Sequence, residues 1–329
     1  MSKAAKGLLL LIFCCFVLLS AFRMLRAGNQ PTEQAVPKYS EWSQPVSLGT
    51  TINSKWDDAL PAMSKDGLSL YFSSNRDGFT GSSRNFDIWV SQRSDESAPW
   101  GPPINLGPLV NTGYLEAGPA LSRDGHWLLF HSDRPGELHG INLMASWRQH
   151  MNDDFGWQEP IMLGSVINSD SDDAGPTYFE GEEDGVAELY FGSTRPGGLG
   201  SWDIYVSRLG IDGVFGPPVL VVDLSSSAAD QRPAISHDGR KIFFHSNRAG
   251  SIVGLNGMPS NDIWVSTRET VLEPWTTPVN VAEVNTAYGE SQPTISSDGM
   301  TLIITSNRPG GLGATDLYVA TRSKLHGRR

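Results

Sequence analysis

The sequence predicts an all-β chain folded as a five-bladed propeller of four-stranded antiparallel blades. Three observations carry that expectation. A phrase of strand, Asp-Gly turn, strand, Arg-containing loop and strand recurs five times at intervals of roughly 57–60 residues. A short element with Pro and alternating apolar residues lies between recurrences. Gly (35) and Pro (21) are frequent, and no long amphipathic helix pattern follows the N-terminal segment, which suits many short strands joined by turns.

The chain opens with an uninterrupted apolar run over 7–22, behind Lys3 and Lys6. That layout is a secretory signal or an uncleaved membrane anchor, the run being short for a comfortable span. The protein is therefore expected to be exported to the periplasm or beyond, touching membrane only through residues 1–26. Both cysteines, Cys14 and Cys15, sit in this run, so the exported part offers no disulfide and no Cys metal site. Residues 27–40 read as a polar linker. Net charge is −11, and about −15 once Lys3, Lys6, Arg23 and Arg26 are set aside. A body that acidic lacks the footprint for nucleic acid.

Within 41–322 the first strand carries Pro61, Pro119, Pro176, Pro233 or Pro293. Proline cannot donate to a ladder, so this strand is expected to be an edge lining the central channel. Asp-Gly follows at 66, 124, 184, 238 and 298, where Gly accepts the positive φ of a tight turn. The loop Arg falls at 76, 134, 195, 248 and 308, and the third strand opens at Asp87, Asn142, Asp203, Asp262 and Asp316. Fourth-strand elements begin near 41, 100, 156, 215 and 275. Because the repeat region starts with a fourth strand and ends with a third, the two are expected to meet in one blade and close the ring. Residues 323–329 are left as a tail.

The pattern Pro-x-x-Ser-x-Asp-Gly, then an apolar strand, Ser-x-Arg and Asp-Ile-Trp/Tyr-Val, resembles the WD-like repeat of the TolB family in all five units. The resemblance implies an exported propeller, often a protein-binding module of the bacterial envelope. TolB itself has six blades and a further domain. A six-bladed ring is thus the alternative architecture.

Five carboxylates, Asp58, Glu116, Asp173, Asp230 and Glu290, precede the repeated prolines by three residues and should ring the channel mouth. They could bind an axial cation or polar ligand, since hard ions want several carboxylate oxygens. Repetition favours a structural clamp instead: Arg76 with Asp87, Arg195 with Asp203, Arg248 with Asp262 and Arg308 with Asp316, each guanidinium bridging local carboxylates. Asn142 breaks the set, leaving Arg134 as a possible free cation. The loops 76–86 and 248–261 depart from the repeat and are the expected places of partner contact. The acidic run 168–175 lacks EF-hand spacing, leaving only a weak case for Ca²⁺; no other cofactor or metal is expected. His131 and His245 occupy equivalent strand positions and read as packed core groups. No nucleophile elbow or zinc-protease motif is present. The expected function is an exported scaffold binding protein or glycan, more in keeping with a non-enzyme. The alternative is a glycoside hydrolase using carboxylates around the channel.

Overall fold

A computed structural model describes residues 38–76, 86–181, 186–210 and 213–325. Two units separate by contact: Tyr39–Ser323, and a second made of Met1–Lys38 with Lys324–Arg329, of which only Lys38, Lys324 and Leu325 are described. The apolar run 7–22, most of the loop 76–86 and residues 182–185 lie outside the described residues.

Tyr39–Ser323 is a ring of five blades. Blade one comprises Asp58–Met63, Ser69–Ser74, Asp87–Gln92 and Ile104–Asn105, paired antiparallel in that order. Blades two, three and four repeat the pattern from Glu116–Leu121, Asp173–Glu180 and Asp230–Ile235. Blade five takes three strands from the end of the body, Glu290–Ile295, Thr301–Ser306 and Asp316–Thr321. Its fourth comes from the beginning: Val46 pairs with Val319 and Ser47 with Tyr318. Innermost strands contact one another around the whole ring, blade five returning to blade one. The ring thus has five members and closes by its own ends.

No blade buries both faces alone, so the core lies between blades. Tyr71, Ile88, Phe130, Met144 and Trp157 fill the gap between blades one and two. Trp42, Phe243, Ile304 and Tyr318 fill the gap between four and five.

The repeated proline does more than mark an edge. In every blade the innermost strand slips register around it, as between Ala59 and Ala62 or Gln231 and Ala234. The residue just before the Pro takes positive φ: Leu60 (53°), Gly118 (64°), Gly175 (64°), Arg232 (55°) and Gln292 (54°). Three of these are not glycine, and each pays roughly 1–2 kcal/mol for a left-handed backbone. The bulge lifts that residue out of the ladder and onto the axis.

On the lower face, where strands one and two turn, an Arg from the end of strand three covers the Asp-Gly turn. Nε of Arg93, Arg148, Arg268 and Arg322 donates to the carbonyls of Gly67, Gly125, Gly239 and Gly299 at 2.7–2.8 Å. Each guanidinium lies over the Trp that opens a fourth strand, Trp100, Trp157, Trp275 or Trp42, at 4.1–4.3 Å from the ring centroid. Arg322 over Trp42 joins one end of the ring to the other.

Candidate active site on the upper rim

The upper face holds the start of each first strand and the loop from strand two to strand three. The five ring carboxylates are there, and each is engaged by an Arg of its own blade. Arg76 pairs with Asp58, Arg134 with Glu116 at 3.0 Å, Arg195 with Asp173 at 2.7 Å, Arg248 with Asp230 at 2.5 Å and Arg308 with Glu290 at 3.0 Å. All five carboxylates are fully buried. They also accept from the backbone N–H and hydroxyl of Ser54, Thr112, Ser169, Ser226 and Thr286. Each Arg donates onward to a backbone carbonyl, for example Ile167 from Arg195. A carboxylate so enclosed has no oxygen to offer a substrate.

The strand-three acids lie elsewhere than the clamp drawn from the sequence. Asp203 accepts the N–H groups of Leu199 and Gly200, Asp316 those of Leu312 and Gly313, and Asp262 that of Ile252. Asp87 accepts from the Asn105 amide. They fold the loop onto its strand, and the Arg uses the ring carboxylate instead. Burial holds the Asp316 carboxyl above the usual carboxylate range, with the charges of Asp58 and Asp57 adding to it. Arg134 is accordingly not free. Asn142 donates to His139 and Gly140 carbonyls and leaves the Arg134–Glu116 pair intact.

One rung above the ring, a second position recurs. The residue before each ring carboxylate donates its backbone N–H to a side chain from the opposing loop. The pairs are Asp57 to Asn75, Leu115 to Asp133, Asp172 to Thr194, Ala229 to Asn247 and Gly289 to Asn307. This rung is not five-fold. Blades one, two and three each place one carboxylate on it, Asp57, Asp133 and Asp172, while blades four and five have none. None of the three is in an ion pair among the described residues. Asp57 Oδ1 accepts from Thr315 N–H at 3.1 Å, and Asp172 Oδ1 from Ile141 N–H at 2.9 Å, so the preceding blade orients both. Asp133 is exposed beyond its one bond.

On blades four and five the same rim opens into a cleft of about 410 Å³. Asn247, Asn256, Ser260, Asn261, Tyr288 and Asn307 line it. The loop 248–261 forms one wall, tied down by Ser260, whose backbone N–H donates to the Ile252 carbonyl and whose hydroxyl donates to Asp262. Amides and hydroxyls without charge are donors and acceptors suited to a polyol. No group of His, Cys, Asp or Glu converges as metal ligands among the described residues. In the acidic run 168–175, Asp173 belongs to the clamp and Asp172 to the rim.

No protein-family profile matches this sequence, and no curated protein matches it. Solved structures do. The chain is similar to an α-L-arabinofuranosidase from Podospora anserina at 13% identity and a TM-score of 0.56, covering 88% of this chain and 98% of that one. It is similar to an α-L-arabinofuranosidase from Lactobacillus brevis at 15% and 0.54, covering 82% and 92%. A thermostable family-43 glycoside hydrolase matches at 14% and 0.53, covering 84% and 92%. TolB from Acinetobacter baumannii reaches only 0.43, too weak a likeness to bear on this chain. At these identities the shared property is the five-bladed fold.

The expectation of a non-enzymatic binding scaffold is corrected here. It rested on repetition without any singular acidic group. Solved structures similar to this chain over nearly their full length include glycoside hydrolases, and the upper rim carries three carboxylates that do not repeat around the ring. Sequence reasoning passed over Asp57 and Asp172 because each stands beside a ring acid, and Asp133 because it looks like one more variant of Ser-Asn-Arg.

Proposed function

We propose that this chain hydrolyses glycosides at its upper rim, with Asp57, Asp133 and Asp172 as the reacting carboxyl groups and the cleft on blades four and five holding a sugar. The observation that carries this reading is the one-sided placement, on an otherwise repeated rung, of three carboxyls without an ion-pair partner among the described residues. Glycoside cleavage needs one carboxyl to protonate the leaving oxygen and a second to activate water or attack the anomeric carbon. Three meet that need with one to spare. The ring carboxylates hold the blades and take no part. The similar solved structures include α-L-arabinofuranosidases and a xylan β-1,4-xylosidase, which makes pentose glycosides the substrate class to try first.

The repeat is taken to be of the WD-like TolB type on its motif, and the protein to be exported on its N-terminal charge-then-apolar layout. The full chain is assayed with nitrophenyl α-L-arabinofuranoside, nitrophenyl β-D-xyloside and arabinoxylan. Hydrolysis by the parent, falling at least about 100-fold in Asp57→Asn, Asp133→Asn or Asp172→Asn at unchanged melting temperature, supports the reading. A parent inactive on all three, or full activity in all three variants, overturns it.

A further inference from the structure

The axis carries a charge that nothing in the described protein balances. The five residues lifted onto it by the bulges are Leu60, Gly118, Gly175, Arg232 and Gln292, and with the five prolines they line a void of about 30 Å³. Arg232 crosses this space. A Cβ on Gly175 would stand 2.3 Å from Arg232 Cδ, and one on Gly118 would stand 2.8 Å from its Nη1. The two glycines leave the room that its side chain takes. Its guanidinium reaches the ring of His131, at 3.2 and 3.3 Å from the two nitrogens.

No carboxylate among the described residues pairs with it. The ring acids above each have their own Arg. The two axial imidazoles, His131 and His245, are driven towards the neutral form by burial and by Arg232 itself, so they supply no negative charge. Arg232 is half-buried on the axis without an ion-pair partner among the described residues, and a cation drawn out of water in this way favours a bound counter-ion.

Gln292 lines the same void. Gln292 gives its Oε1 to Leu60 N–H at 3.1 Å, which leaves its NH₂ group as the end available for the axis. Three strand-two residues, Ser73, His245 and Thr305, accept the bulge N–H of the following blade, at Gly118, Gln292 and Leu60. Gly192 in blade three has no side chain to do this for Arg232. The Arg232 charge and the Gln292 amide thus meet where acceptors are short. Below the prolines lies an apolar collar of Met63, Leu121, Tyr178, Ile235 and Ile295, with Lys65, Arg123 and His237 at the lower mouth.

We propose that the propeller binds one monatomic anion of the halide class on its axis, beside the Arg232 guanidinium and the Gln292 amide. The size of the void selects this class. Thirty Å³ accommodates one or two water-sized bodies. A tetrahedral oxyanion is too large. The reading is independent of catalysis at the rim.

The full chain is melted in sodium gluconate progressively replaced by sodium chloride or bromide at constant ionic strength. The melting temperature is expected to rise by about 2–5 °C on saturation, by mass action on the folded state. Arg232→Met is expected to lose that dependence. Crystals grown in bromide are expected to show an anomalous peak within hydrogen-bonding distance of Arg232. Halide-independent melting with no axial bromide peak overturns the proposal and assigns the void to water. Where Arg232→Met does not fold, the bromide peak in the parent decides.

Discussion

Removing Trp42 should open the ring at its seam while removing a matched Trp elsewhere should not. Trp42 is 9% exposed, packs edge-on to Phe243 at 6.3 Å and carries Arg322 over its face at 4.1 Å. Trp157 is 3% exposed, packs edge-on to Tyr71 at 6.3 Å and carries Arg148 at 4.3 Å. Truncating either to Ala removes a large buried ring and a cation–π contact, a loss of roughly 3–5 kcal/mol. For a body of this size that corresponds to about 6–12 °C of melting temperature. The two variants differ in connectivity. Trp157 sits within a blade whose strands are continuous in sequence. Trp42 precedes a two-residue strand held on blade five by its pairing to Val319 and Tyr318, by Leu48 N–H on the Leu317 carbonyl and by Ser43 N–H on the Thr321 carbonyl. Hydrogen exchange followed by mass spectrometry separates them. In Trp42→Ala the segments 42–48 and 316–321 should exchange at least tenfold faster than the rest of the body, whereas Trp157→Ala should leave those segments at the body's average. If 42–48 keeps its protection in Trp42→Ala, the seam is not where the ring is weakest, and the closure argument fails.

Two further outcomes follow from the clamps and the buried imidazoles. Arg134→Met should cost roughly 3–5 kcal/mol in chemical denaturation despite Asn142, because it strands the buried Glu116 charge; a loss below about 1 kcal/mol would mean that Arg134 is dispensable after all. The His245 imidazole is pushed down to about 3, chiefly by burial and then by Arg232. Its folded value lies below its unfolded value near 6.5, so its contribution is intact above about pH 6.5 and is lost as pH falls towards 3. At pH 4.5 that amounts to roughly 2–3 kcal/mol. His245→Gln, which can still accept Gln292 N–H, should flatten stability between pH 6.5 and 4.5, and an unchanged slope would count against the assignment.

The architecture was legible because it is written five times. The spacing of the prolines, the Asp-Gly turns and the leading fourth strand each pointed to the same closed ring, and periodic signals of this kind survive ignorance of any single contact. Pairing within a blade was less legible. The loop Arg had two acids in reach on paper, and only the depth of the ring carboxylate decides that Asp173 and not Asp203 takes Arg195. The lower-face arginines were overlooked because a strand-ending Arg, such as Arg148, reads as a surface residue until a Trp from the next strand is brought beneath it. The rim acids were hidden for the opposite reason. They depart from the repeat, and a reading that looks for recurrence discounts what fails to recur.

The axial bulge has a consequence for how such a molecule can change over time. Because one residue per blade is lifted clear of the ladder, the pore's character is spelled by five letters, Leu, Gly, Gly, Arg and Gln. A change of letter must suit a left-handed backbone and, at Gly118 and Gly175, the room that Arg232 and His131 occupy. A scaffold organised in this way can alter what occupies its centre by single substitutions while its blades and rim stay as they were.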